Sequence, residues 1–163
     1  MVTPEKTAFV GLGANLGDAR QAVCQALSDL DRLPQTRLVA HSSLYKSEPI
    51  DAGGPDYINA VAKTQTTLQP LELLQALQSL ENAAGRQRPF QNAPRTLDLD
   101  LLLYDKLECQ SEVLTLPHPR MHQRAFVLAP LSEISPGLSH PIYGDIDKLL
   151  SALTSQTIER LDT

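Results

Sequence analysis

The sequence predicts an α+β fold whose segments run in the order β-α-β-β-α-β. Three observations carry this. Four segments have strand composition or alternation. Two apolar stripes at helical spacing, one after Asp18 and one after Pro70, fall between the first and second and between the third and fourth of them. No repeat, low-complexity tract or linker interrupts the 163 residues, so one domain, 1–163, is expected. This order is the split βαβ, or ferredoxin-like plait, with two helices on one face of an antiparallel sheet. A C-terminal extension of hairpin and helices should follow it.

Ala8-Phe9-Val10 reads as a short buried strand, and Gly11 to Gly17 as a glycine-rich turn. Asp18 can cap a helix with the stripe Ala22, Val23, Ala26, Leu27 and Leu30, which Pro34 stops. Arg37 to Lys46 reads as the second strand, Ser47 to Asp56 as a loop, and Tyr57 to Thr67 as the third strand. Pro70 opens the second helix, with Leu73, Leu74, Leu77, Leu80 and Ala84 on one face and Gly85 as its C-terminal cap. Arg86 to Arg95 is a polar loop, and Thr96 to Tyr104 is the fourth and most apolar strand. A hairpin over Leu107 to Leu116, short helices at Phe126 to Ile134 and Ile146 to Leu153, and a terminal strand at Thr157 to Leu161 complete the chain.

Composition excludes several classes of function. Apolar residues make up 42% of the chain, enough for a core without disulfides or a structural metal. A net charge of −5 and a pI near 5.3 speak against a nucleic-acid partner. No apolar run has the length of a membrane span, and Met1 to Lys6 lacks the core of a signal peptide. Cys24 and Cys109 form neither a CxxC pair nor a zinc set, so two reduced thiols in the cytoplasm are expected. The one local excess of positive charge is Arg86, Arg88, Arg95, Arg120 and Arg124.

The strongest chemical signal is Arg95-Thr96-Leu97-Asp98-Leu99-Asp100-Leu101-Leu102-Leu103. Side chains two apart share a face of a strand, so Asp98 and Asp100 project together while Leu97, Leu99, Leu101 and Leu103 point to the core. Two carboxylates on one wall repel each other and resist desolvation unless a cation lies between them. Oxygen-only ligands suit magnesium, which takes the rest of its shell from water and substrate phosphates. An acidic solvent face would produce the same alternation, but the adjacent arginines favour a metal-bound polyphosphate. Tyr57 and Asn59 also share a face, offering a ring to stack on a flat heterocycle and an amide to read its edge. Pro117 to Phe126 adds His118, Arg120, Arg124 and Phe126, and Asn15 stands at the tip of the glycine-rich segment. That segment lacks both the Walker A pattern and GxGxxG spacing. No Ser-His-Asp or Cys-His set is present in the pattern.

Taken together, Pro55-Asp-Tyr-Ile-Asn-Ala60, Gly85-Arg86, Pro94-Arg-Thr-Leu-Asp-Leu-Asp100 and Leu116-Pro-His-Pro-Arg-Met-His-Gln-Arg-Ala-Phe126 resemble the 6-hydroxymethyl-7,8-dihydropterin pyrophosphokinases of folate biosynthesis. The resemblance implies transfer of pyrophosphate from ATP to the pterin hydroxymethyl group, with release of AMP. It implies two magnesium ions on Asp98 and Asp100, with Arg86 and Arg95 neutralising phosphate charge during transfer. It places Gln78, Glu81, Arg86, Arg88, Arg95, Leu101, Thr115, His118 and Arg124 at ATP. At the pterin it places Asn15, Ser47, Ile50, Tyr57, Asn59 and Phe126. The chain departs from the family pattern at Phe90 and Asn92, near a usual tryptophan, at Val113 in place of an arginine, and at Pro119 in place of an aromatic. Two other functions fit the same plait: a palm-type two-metal nucleotidyltransferase, which would release pyrophosphate, and a non-catalytic ligand-binding domain.

Overall fold

The computed structural model describes residues 4–48, 55–84 and 97–161. The plait comprises β1 (Lys6–Ala14), α1 (Ala19–Leu30), β2 (Thr36–His41), β3 (Tyr45–Ser47), β4 (Tyr57–Thr66), α2 (Pro70–Ala84) and β5 (Asp98–Tyr104). After it come the hairpin β6 (Cys109–Gln110) and β7 (Thr115–Leu116), a 3-10 turn (Met121–Gln123) and α3 (Ala125–Ile134). They are followed by β8 (Ser139–His140), β9 (Gly144–Asp145), α4 (Ile146–Ser151) and β10 (Ile158–Arg160). The main sheet runs β10-β3-β4-β1-β5, with β2 also on β4, and its pairs are antiparallel. This is the expected βαββαβ plait, α+β in class, with the C-terminal strand added at one edge.

Helix α1 begins where the Asp18 side chain accepts the Gln21 N–H at 3.1 Å, and buries Val23, Ala26, Leu27 and Leu30. In α2, Glu72 reaches back to the Gln69 N–H at 2.8 Å, and Leu73 and Leu77 are fully buried. These two helices, with Val10, Leu12, Ala60, Ala62, Leu99 and Leu101 of the sheet, form an aliphatic core. A second cluster lies on the opposite face, where Phe9, Val61 and Leu102 meet Met121, Leu128 and Ile146. Among the described residues no helix is long and apolar enough to cross a bilayer.

Four features differ from the sequence reading. The second strand is broken: Ser42 turns its hydroxyl onto the backbone, accepting the Val61 N–H at 2.9 Å, and the chain resumes as β3 on the same partner. Gly11 and Gly13 do not form a turn. They lie within β1, which is paired on both sides, and neither has the positive φ that Gly17 adopts at 61°. Leu103 leaves the face of Leu99 and Leu101, because the β1–β5 register jumps from Phe9↔Leu103 to Val10↔Leu101. Leu102 is the extra residue of that bulge, and Leu102 and Leu103 both join the second cluster. The two-residue strands β8 and β9 were not anticipated, being too short to carry a period.

Candidate active site

On the face of the sheet opposite α1 and α2, alternate residues of β1 are glycines. A Cβ on Gly11 would sit 3.4 Å from the Leu102 side chain, and one on Gly13 would sit 3.2 Å from Asn59 Nδ2. Their bare backbone forms the floor of a cavity of about 540 Å³. Strand β4 supplies Tyr57 and Asn59, β3 supplies Ser47, and β5 supplies Asp98 and Asp100. The far wall is Arg120, Gln123, Arg124 and Phe126, carried by the 3-10 turn and the start of α3.

Each group is held by its own element. Ser47 Oγ donates to Asn59 Oδ1 at 2.6 Å, a buried bond between neighbouring strands that fixes the amide against the floor. Asn15 Nδ2 donates to the Pro55 carbonyl at 3.4 Å, linking the end of β1 to the start of the segment before β4. The Arg124 guanidinium stands 5.5 Å from the centroid of the Phe126 ring. Glu81 on α2 accepts the Leu99 N–H at 2.8 Å, so the backbone between the two aspartates is tied to the helix behind it.

Asp100 also borders a second hollow of about 250 Å³, together with Leu101, Thr115, His118 and the hairpin residues Glu112 and Val113. Of the residues assigned by resemblance to ATP, the structure therefore groups Leu101, Thr115 and His118 on one side of Asp100 and Arg124 on the other. Gln78 is exposed on α2 and borders neither hollow. Of the pterin set, Asn15, Ser47, Tyr57, Asn59 and Phe126 line the larger cavity. Ile50, Arg86, Arg88 and Arg95 lie outside the described residues.

The electrostatics separate the acidic and basic walls. Burial pushes the Asp100 carboxyl above the usual carboxylate range, and the Arg124 charge opposes this without cancelling it. His118 is lowered to about 4 by burial and by the charges of Arg124 and Arg120, so its ring is neutral near pH 7. Its Nδ1 accepts the Arg120 N–H at 3.2 Å, which leaves the proton on Nε2. Among the described residues no three His, Cys, Asp or Glu side chains gather into a metal cage. Two oxygen donors on one strand face, one of them desolvated, fit a hard cation that completes its shell with water and substrate oxygens.

Sequence reasoning missed Gly11, Gly13 and Gln156 as cavity residues. The glycines carried a legible signal, since they alternate with Val10, Leu12 and Ala14 at strand period. Gln156 carried none, because it reaches the wall from the far end of the chain.

The family model described as 7,8-dihydro-6-hydroxymethylpterin-pyrophosphokinase matches residues 9–136. A Pseudomonas aeruginosa protein named 2-amino-4-hydroxy-6-hydroxymethyldihydropteridine pyrophosphokinase is 45% identical over 154 residues, 94% of this chain and 95% of that one. A Haemophilus influenzae protein of the same name is 43% identical over 157 residues, 96% of this chain and 98% of the relative. Among solved structures, an HPPK-DHPS in complex with substrates superimposes with a TM-score of 0.76 at 12% identity, over 94% of this chain. Wild-type HPPK-DHPS of Plasmodium falciparum gives 0.71 at 13% identity, over 93% of this chain. The chain spans 44% and 41% of those two longer proteins, and the likeness to them concerns the fold.

Proposed function

The chain belongs to the 7,8-dihydro-6-hydroxymethylpterin-pyrophosphokinase family, and we propose that the face bearing Asp98 and Asp100 is where it moves pyrophosphate from ATP to the hydroxymethyl group of its pterin in folate biosynthesis. In that reaction the hydroxymethyl oxygen bonds to the β-phosphorus, the bond from that phosphorus to the bridging oxygen of AMP breaks, and AMP leaves. The observation that carries the site reading is Asp100, which alone among the described residues borders both the larger cavity and the second hollow. A pterin in the first and a nucleotide in the second would meet there.

Each residue has a task in this reading. The glycine floor lets a planar ring lie against the backbone of β1, with Tyr57 and Phe126 beside it and the Asn59 amide at its polar edge. Arg124 and the Nε2–H of neutral His118 face the phosphates, one as a fixed charge and one as a hydrogen-bond donor. Leu101 and Thr115 border the nucleotide, with Gln78 and Glu81 on the neighbouring helix. Glu81 acts through the Leu99 N–H it accepts, keeping the two aspartates in register. Arg86, Arg88 and Arg95 add positive charge during transfer, and Ile50 completes the pterin wall. Asp98 and Asp100 hold two magnesium ions, which supply neutralisation of the triphosphate and a lower pKa for the attacking alcohol.

The chain 1–163 acts as one pyrophosphokinase domain in the cytoplasm, with ATP and a pterin as its small-molecule partners. A net charge of −5 supports the reading that no nucleic acid is bound. The test is product identity. Protein, ATP, magnesium and the hydroxymethyl dihydropterin should yield AMP in equal amount to pyrophosphorylated pterin. Free pyrophosphate with a nucleotidylated product would point to attack at the α-phosphorus and overturn the assignment.

A further inference from the structure

We propose that Gln156, which lies beyond the family match ending at residue 136, is a positioning residue that holds Arg124 in the active cavity. The inference rests on the pyrophosphokinase reading of that cavity. The side-chain amide of Gln156 bonds to the backbone on both sides of Arg124. Its Oε1 accepts the Ala125 N–H at 2.8 Å, and its Nε2 donates to the Gln123 carbonyl at 2.7 Å. These are the two backbone groups that an adjacent strand would pair, and Arg124 between them is extended, with φ −123° and ψ 108°.

The clamp adds to local bonds at Arg124 itself, whose N–H donates to the Met121 carbonyl at 3.2 Å and whose carbonyl accepts the Val127 and Leu128 N–H groups at 3.0 Å. Arg124 ends the 3-10 turn and starts α3, yet its own side chain makes no capping bond. The first N–H of α3 has no intrahelical partner, and Gln156 Oε1 is the acceptor that it finds instead. Without Gln156 the Gln123 carbonyl and the Ala125 N–H on either side of Arg124 lose this partner, and a small shift of that backbone would carry the guanidinium with it. That guanidinium stands over Phe126 and opposes the rise in the Asp100 pKa, so its place couples the aromatic wall to the acidic one.

The arm that carries Gln156 is itself tied down. Two residues on, β10 pairs with β3 at Ile158↔Ser47, and Arg160 reaches Glu133 of α3 at 3.6 Å and Ser43 Oγ at 3.1 Å. The Leu161 N–H donates to the Leu44 carbonyl at 2.8 Å. The C-terminal segment thus grips the cavity on two sides, through Ser47 on one and through the flanks of Arg124 on the other. Gln156 also borders the cavity directly.

A double-mutant cycle with an amide-exchange readout tests the assignment. Gln156→Ala should lower the rate of AMP formation about tenfold, because a small displacement of a charge-bearing group is costly in a positioned site. In an Arg124→Ala background the same substitution should change the rate less than about twofold, since the group it positions is gone. An equal tenfold loss in both backgrounds would overturn the proposal. In the free protein, hydrogen exchange at the Ala125 amide should be slow and should quicken at least about tenfold in Gln156→Ala. Fast exchange in the unmutated protein would remove the clamp itself. Gln156→Glu keeps the acceptor but sets a second oxygen against the Gln123 carbonyl. It should protect the Ala125 amide and still lose turnover; full turnover in that variant would contradict the need for both bonds. An unmutated protein that forms no AMP would refute the functional reading, whereas additivity in the cycle refutes only the role of Gln156.

Discussion

The two faces of the central sheet are built from the same strands and share almost no chemistry. Towards α1 and α2, β1 presents Val10, Leu12 and Ala14 and β5 presents Leu99 and Leu101, all at most 4% exposed. Towards the cavity the intervening positions are Gly11 and Gly13 on one strand and Asp98 and Asp100 on the other. The period-two alternation of a strand allows this separation: one set of residues makes the fold stable while its neighbours are free to be costly. Two adjacent carboxylates, one desolvated, would not persist where stability alone was selected. The helix-covered face should therefore answer to substitution in stability, and the open face in chemistry.

Substitution of either carboxylate offers the sharpest break between the faces. Asp98→Ala and Asp100→Ala should each cut AMP formation by about a thousandfold or more, with the fold intact by circular dichroism. Near-normal turnover in either would place the chemistry elsewhere. On the helix-covered side, Leu30→Ala in α1, fully buried and lining neither hollow, should remove about 3 kcal/mol of unfolding free energy in a urea titration. Its turnover below the melting range should stay within a few-fold of the parent. A large kinetic loss with unchanged stability would reverse the roles of the two faces.

Gly13→Ala tests the floor. The new methyl would meet Asn59 Nδ2 at 3.2 Å, so the amide must shift and a ring must rise from the backbone. KM for the pterin should increase about tenfold while KM for ATP changes little. An equal rise in both would mean the glycine serves the strand and not the ligand.

The smallest effects are in the pH dependence of stability. Asp100 titrates above its ordinary value in the folded protein, so its charge costs stability. That cost is absent below the unfolded pKa near 3.8 and is complete above the raised folded pKa. Asp100→Asn should melt a few degrees higher than the parent at pH 7 without magnesium, and the gap should close as pH falls towards 4. On the opposite sign, His118 is lowered from 6.5 to about 4, so the unfolded chain takes up its proton first on acidification. Stability should fall between those two values, and His118→Gln should flatten that part of the profile.

Much of this arrangement was legible before any coordinates. The stripes of α1 and α2, the Leu/Asp alternation of β5 and the pairing of Tyr57 with Asn59 are local periods, and a period is what a sequence displays. The features that escaped depend on partners distant in the chain. Gly11 and Gly13 look like turn residues until pairing with both β4 and β5 makes them a floor. The bulge at Leu102 exists only in relation to the register of β1. Ser42 breaks a strand because Val61 stands opposite it, and Gln156 acts on a backbone more than thirty residues away.

Binding of a nonhydrolysable ATP analogue, measured by calorimetry with and without magnesium, tests most directly whether Asp98 and Asp100 form a cation-dependent nucleotide site. Magnesium should strengthen binding to the unmutated protein by at least about tenfold and leave Asp100→Asn nearly unchanged. Equal strengthening in both proteins would contradict the account.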